Sequence, residues 1–298
     1  MNARSGEAVE NWHEWHLVDT LDWIAVPAAS SDKYSRGVLG VVTGSDRYPG
    51  AAVLGVEAAV RTGLGMVRYL GAPAAAGLVL QRRPEIVTAP GRVQAWLIGS
   101  GMDAASRPQD DAVRLNAALA DGAPVVIDAG ALDLVGKAKG PVVITPHYRE
   151  LAGVLAAAAD DDTDAVTADD IAADPGAWAV RASESLGVTV LLKGSTTYIA
   201  SPDGSRFSVA DGPAWLATAG SGDVLGGVLG ALVATHADEI AERGASALAA
   251  LAATAAFIHG RAGEIASDGG PIAALDIAES LPIVVRELLG HGVDTGQG

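Results

Sequence analysis

Between residues 217 and 223 the chain reads Ala-Thr-Ala-Gly-Ser-Gly-Asp, and residues 224–235 carry no charge. A buried helix that opens near Gly220 would leave its first N–H groups without intrahelical acceptors, at the positive end of the helix dipole. Gly220 and Gly222 would let an anion come close to those amides, and Ser221 would add an N–H and a hydroxyl. A single carboxylate in that turn, Asp223, would stand beside the anion. If the anion is a terminal phosphate, Asp223 can take the proton of an attacking hydroxyl. On these residues alone, an ordinary acidic helix start explains Asp223 equally well.

Other residues could join such a site. Lys193 closes an apolar run and precedes Gly194-Ser195-Thr196-Thr197. A lysine there can point at a phosphate while the small residues line a nucleotide; a solvated strand-end lysine is the alternative. His147 and Glu150 lie three apart where a strand gives way to a helix, so both can face one cleft. Glu150 is a candidate for holding a phosphate or a magnesium-bound water. Gly44-Ser45 and Tyr48-Pro49-Gly50-Ala51 read as a strand-to-helix turn open to close approach by a pyrophosphate, and Gly99 and Gly101 read the same way with less force. Asp128 is either a site acid or a loop cap. His13 and His16 have helical spacing, but no third metal ligand is evident, and Trp12 and Trp15 are read as pins for the leader. His259, in an Ala-rich helix, is read as structural.

The elements that must position these residues alternate. Apolar strands are expected over 38–44, 66–70, 95–101, 124–130, 141–147 and 187–194, then a hairpin over 196–201 and 206–210. Helices are expected over 50–63 and 109–122, then at about 220–235, 239–266 and 275–290. This order predicts an α/β fold, a mostly parallel sheet with helices on both faces, with ligands at the carboxyl ends of the strands. Those ends carry the polar residues named above. The acidic stretch 156–170 is read as an exposed loop. Residues 1–30 are expected to form a leader packed on a single domain spanning 31–290, followed by a flexible tail, 291–298.

Composition sets bounds. A net charge of −16 argues against nucleic-acid or anionic-membrane binding. The absence of cysteine removes disulfides and thiolate chemistry. Mean hydropathy is positive, +0.28, but the longest apolar runs are broken by Gly, Asp or Ser or are dominated by Ala, and they read as buried helices. The N-terminus lacks the apolar stretch of a signal peptide, so a cytoplasmic location is expected.

The string "ATAGSGDVLGGVLGAL" resembles the Gly-x-Gly-Asp signature of the ribokinase-like superfamily, and more closely that of the ADP/ATP-dependent NAD(P)H-hydrate dehydratases. The resemblance continues through "KYSRGVLGVVTGSDRYPGAAVLG", "LIGSGM", "VVIDAGAL", "VVITPHYREL", "LLKGSTTYIA" and "FIHGRAGEIA". It implies a three-layer ribokinase-like fold and repair of hydrated NADH and NADPH with ADP, in preference to ATP, and Mg²⁺. It implies Asp223 as base, residues 193–197 and 220–222 on the nucleotide, and Ala51, Gly101, His147 and Asp223 on the dinucleotide substrate, with no direct protein ligand to the metal. It also implies a homo-oligomer and reliance on a separate NAD(P)H-hydrate epimerase. Tyr148-Arg149 replaces the family's Pro-Gly, and Trp215-Leu216 alters the approach to the glycine signature. Two other readings stand beside it: a small-molecule kinase of the same superfamily, and a catalytically silent nucleotide-binding regulator.

Overall fold

The structure, a computed structural model, describes residues 12–158 and 166–295. Apolar runs too short for helices form a single nine-stranded sheet: β1 (His13–Glu14), β2 (Val38–Val42), β3 (Met66–Tyr69), β4 (Ala95–Ile98), β5 (Val125–Ile127), β6 (Val142–Ile144), β7 (Thr189–Leu192), β8 (Thr197–Ala200) and β9 (Arg206–Val209). The spatial order is β1-β9-β8-β7-β6-β5-β4-β2-β3. Neighbours from β3 through β7 pair in parallel, and only the β7–β8 and β8–β9 pairs are antiparallel.

All residues of β2, β4, β5, β6 and β7 are buried, as a parallel sheet covered on both faces requires. Alternation sends Leu39, Val41 and Leu97 into one core and Val38, Val42 and Ile98 into the other. The first core lies under α2 (Pro49–Thr62), α3 (Pro73–Arg82), α8 (Ser221–Thr235), α10 (Ala245–Ser267) and α11 (Ala274–Thr295). The second lies under α4 (Gln109–Ala120), α5 (Tyr148–Ala158), α6 (Ala168–Ala173) and α7 (Pro175–Leu186). α8 is the central helix of its layer and packs on α2 at van der Waals distance. A methyl group on Gly227 would collide with the carbonyl of Gly55. Among the described residues no single helix is long and apolar enough to cross a membrane.

Several elements differ from the sequence expectation. The helix expected over 239–266 is broken at Gly244, whose φ of 60° and ψ of −129° interrupt the helix, so α9 (Ala237–Arg243) and α10 are separate. Helices α3, α6 and α7 were not expected. The acidic stretch is not loop throughout. α5 runs to Ala158, and Thr167 starts α6 by exchanging hydrogen bonds with Asp170, with Ile171 buried behind it; residues 159–165 lie outside the described ones. α11 continues to Thr295, five residues past the expected end, and 296–298 lie outside the described residues.

Near the start of the chain, β1 adds to the sheet edge beside β9. Trp12 stands edge-on to Tyr198, 4.9 Å between ring centres, and Trp15 edge-on to Phe207 at 4.8 Å. His13 pairs with Asp19 at 3.2 Å and His16 caps α1 (Leu17–Leu21), so the two histidines have structural partners.

Candidate functional site

Four consecutive strand ends meet under the start of α8. Each leaves the sheet after three or four buried apolar residues and delivers a polar side chain: Ser100 beyond β4, Asp128 beyond β5, Thr145 beyond β6 and Lys193 beyond β7. Asp128 is buried and binds all three others. Its Oδ2 accepts from Ser100 Oγ at 2.9 Å, and its Oδ1 from Thr145 Oγ1 at 2.8 Å and Lys193 Nζ at 2.9 Å. Burial opposes its ionisation, but the ammonium and the hydroxyls outweigh it, and Asp128 stays below the usual carboxylate range. Asp128 is therefore an internal acid of the cluster, one of the two roles the sequence allowed.

Lys193 is fixed at both ends. Its backbone N–H donates to Pro146 O at 2.8 Å, and its ammonium lies between Asp128 and Glu150, whose Oε2 is 3.7 Å away. Burial works against the cation, and the surrounding carboxylates hold its pKa up nonetheless.

Above Lys193, Gly220 adopts a left-handed conformation, φ 88°, and turns the chain into α8. The helix has no side-chain cap. Ser221 N–H is already bonded to Thr218 O at 3.3 Å, whereas the N–H groups of Gly222 and Asp223 have no acceptor among the described residues. A Cβ on Gly222 would sit 3.5 Å from Lys193 Nζ, so the open amides and the ammonium face one space. The sequence expectation of an N–H from Ser221 is corrected here: Thr218 has taken it. The Ser221 hydroxyl is 3.1 Å from His259 Nε2 on α10.

Asp223 stands in the same turn. Burial first, then the negative charge of Asp128, raise its pKa to about 7, with Lys193 pulling the other way; hydrogen bonds make no contribution. A carboxylate that exchanges its proton near neutrality is suited to general-base work.

A cavity of about 900 Å³ opens beside these groups. Its floor is Lys193, Gly194, Ser195, Thr197, Ser221 and Gly222. His147 and His259 also border it, and its far wall is the Asp211–Thr218 loop. Thr196, Gly220, Glu150 and Asp223 do not line it. Nor do Ala51 and Gly101, which touch each other where α2 begins, with Ser45 Oγ donating to Gly101 O at 2.8 Å. The two groups of residues adjoin across Gly220, where an added methyl would stand 2.5 Å from Leu54 of α2.

His147 and Glu150 cap α5 reciprocally: His147 N–H donates to Glu150 Oε2 at 2.8 Å, and Glu150 N–H to His147 Nδ1 at 3.1 Å. Tyr148 packs its hydroxyl against Gly194, where no side chain would fit, while Arg149 is exposed. The altered approach brings Leu216 to the cavity wall, packed over Gly212 and Gly263; Trp215 remains half exposed. Sequence reasoning missed Ser100, Thr145 and the His259 contact. The first two carry a signal, a lone hydroxyl directly after β6 for Thr145 and two residues past the end of β4 for Ser100; His259 carries none, because its partner is remote in the chain.

The parallel sheet, the helix whose first amides lie open and the carboxylate in its first turn define an α/β protein of the ribokinase-like class. The fold agrees. A Bacillus subtilis ADP/ATP-dependent NAD(P)H-hydrate dehydratase, solved from crystals grown with ATP and Mg²⁺, matches with a TM-score of 0.79 and 24% identity over 93% of this chain and 99% of that one. A ribokinase-like superfamily protein from Enterococcus faecalis matches with a TM-score of 0.77 and 20% identity over 96% and 99%. Within that class, residues 39–282 match the profile of the NAD(P)H-hydrate dehydratase family, and the chain belongs to that family. A bifunctional NAD(P)H-hydrate repair enzyme of Mycobacterium tuberculosis is 42% identical over 70% of this chain and 43% of its own length. An ADP-dependent (S)-NAD(P)H-hydrate dehydratase of Neisseria meningitidis is 33% identical over 88% of each. The chain spans about half the length of the mycobacterial and corynebacterial relatives.

Proposed function

We propose that the protein dehydrates (S)-NADHX and (S)-NADPHX at the expense of ADP, restoring the reduced nicotinamide. The observation that carries this reading is the pairing of two open amides, those of Gly222 and Asp223, with a carboxylate that titrates at about 7 in the same turn. Asp223 takes the proton of the substrate's C6 hydroxyl. The hydroxyl oxygen bonds to the terminal phosphorus of ADP as the bridging P–O bond breaks, leaving AMP. The C6–O bond then breaks, releasing phosphate, while the proton on the adjacent ring carbon is lost and the double bond reforms. Phosphate leaves far more readily than hydroxide, which is the reason to couple the dehydration to a nucleotide.

The chain's own residues bind and orient. The Gly222 and Asp223 amides and the Lys193 ammonium hold the terminal phosphate. Gly194, Ser195 and Thr197, which line the cavity, contact the nucleotide, and Ala51, Gly101 and His147 the dinucleotide. The hard oxygen of Glu150, 3.7 Å from the Lys193 ammonium, would suit a water of Mg²⁺; the ion, when bound, would neutralise phosphoryl charge. ADP in preference to ATP follows the names of the Neisseria and Xanthomonas relatives. Since those names specify one epimer, full repair needs an epimerising activity beside this one. The test is recovery of the near-ultraviolet absorbance of reduced nicotinamide from chemically prepared hydrate with Mg²⁺ and ADP. Asp223→Asn should abolish turnover and keep ADP binding. Nucleotide binding by the wild type without recovery of absorbance overturns the proposal.

A further inference from the structure

Ser221 and His259 form a buried pair that the reaction outlined above does not use. Ser221 is the first residue of α8 and His259 lies in the middle of α10. Both are less than a tenth exposed, both border the cavity, and 3.1 Å separates Oγ from Nε2. The imidazole is neutral at any ordinary pH. Burial chiefly, with the Lys193 cation nearby, brings its pKa to about 4, despite a favourable backbone contact with Ser221. A neutral imidazole can bond to a hydroxyl in two ways. Nε2 can accept the hydroxyl proton, which leaves only oxygen lone pairs towards the cavity. Alternatively, Nε2–H can donate to Oγ, which frees the hydroxyl proton to donate elsewhere.

We propose that His259 is a positioning residue for the anion hole: its Nε2–H donates to Ser221 Oγ, so that the Ser221 hydroxyl donates to the terminal phosphate. This role rests on the reading of the cavity as a nucleotide site. The Ser221 amide is already bonded to Thr218 O, so the hydroxyl is the only donor Ser221 can contribute. An anion beside Gly222 repels the lone-pair arrangement and favours the donating one. The neutral ring orients the hydroxyl without adding charge beside Lys193. The same contact ties α10 to the first turn of α8, so the hydroxyl stays in place while the site is empty.

The test combines a double-mutant cycle with a direct reading of the ring. Calorimetry would measure ADP affinity for the wild type, Ser221→Ala, His259→Leu, His259→Gln and the Ser221→Ala/His259→Leu double variant, each checked for a cooperative thermal transition. A hydrogen bond to a charged group corresponds to a loss of about tenfold or more. That loss is expected in each of Ser221→Ala and His259→Leu, with no further loss in the double variant. His259→Gln, whose amide can occupy the Nε2 position, should recover most of it. Nitrogen-15 spectra of the imidazole should show the Nε2–H form when ADP or inorganic phosphate is bound. Additive losses in the double variant, or an Nδ1–H ring in the phosphate complex, overturn the proposal while leaving the nucleotide reading intact. Failure of wild-type protein to bind ADP overturns that reading instead. The phosphate spectra still decide the role of His259, and failure to bind phosphate as well removes both.

Discussion

The carboxylate of Asp223 should make the empty enzyme less stable as pH rises, and removing its charge should make the protein more stable. The perturbation is Asp223→Asn, which keeps shape and removes ionisation. The pKa of Asp223 is 3.8 in an unperturbed chain and about 7 here. A carboxyl whose pKa rises on folding binds more protons in the folded state, so stability falls with pH between the two values. Below pH 3.8 the group is neutral in both states and costs nothing. From there the cost grows by about 1.4 kcal/mol per pH unit. It levels off above pH 7 at roughly 4 kcal/mol, which is 3.2 units at that rate, as an upper bound before water and side-chain relaxation reduce it. Urea unfolding of both proteins between pH 5 and pH 8.5 reads this directly. The stability of Asp223→Asn relative to wild type should climb between pH 5 and 7 and then stay flat. A difference that does not vary with pH, or an asparagine variant that loses ground as pH rises, would refute the claim that burial and Asp128 hold this carboxyl protonated. ADP should not mask the effect if nucleotide is left out, because the strain belongs to the free site.

Turnover of the wild type should rise with pH through about 7 as Asp223 ionises, and Asp128→Asn, by removing the adjacent negative charge, should lower that midpoint by about one unit; a pH–rate profile of kcat/KM checks both. Lys193→Ala should raise KM for ADP by at least tenfold and leave KM for the hydrate within about threefold, as steady-state kinetics with each substrate varied would show. Glu57 tests the scaffold. It is fully buried on α2 and bonded to Arg61, Arg82 and Arg83 at 2.5 to 3.0 Å. Burial opposes its charge, but the three guanidinium groups hold its pKa at about 2 against an ordinary 4.5. Its contribution, on the order of 3 kcal/mol, is present above pH 4.5 and lost as pH falls towards 2. Glu57→Gln should therefore lower the urea midpoint at pH 7 and converge with wild type in acid.

How far the site could be read from the sequence depends on how local each role is. The buried strands are legible because a sheet covered on both faces needs unbroken apolar runs, and the polar residues that end them fall where the sheet stops. Gly220-Ser221-Gly222-Asp223 is legible because a left-handed turn, open amides and an acid are all properties of one short segment. The helices that went unseen are of a different kind. α3 and α7 carry few large apolar residues, and their burial comes from remote partners, α2 for α3 and the strands β7 and β8 for α7; α6 depends on a cap within an acidic stretch. Asp128 shows the limit most clearly. Its sequence context, a strand end before a turn, permits an acid or a cap. What decides between them is Lys193, 65 positions along the chain and 2.9 Å away in space. The same is true of His259, whose partner is 38 positions back. The proton affinity of Asp223 depends in turn on both Asp128 and Lys193. A residue type at a given spacing can therefore nominate a base, but the pH at which it works is set by charges that only the fold brings within reach.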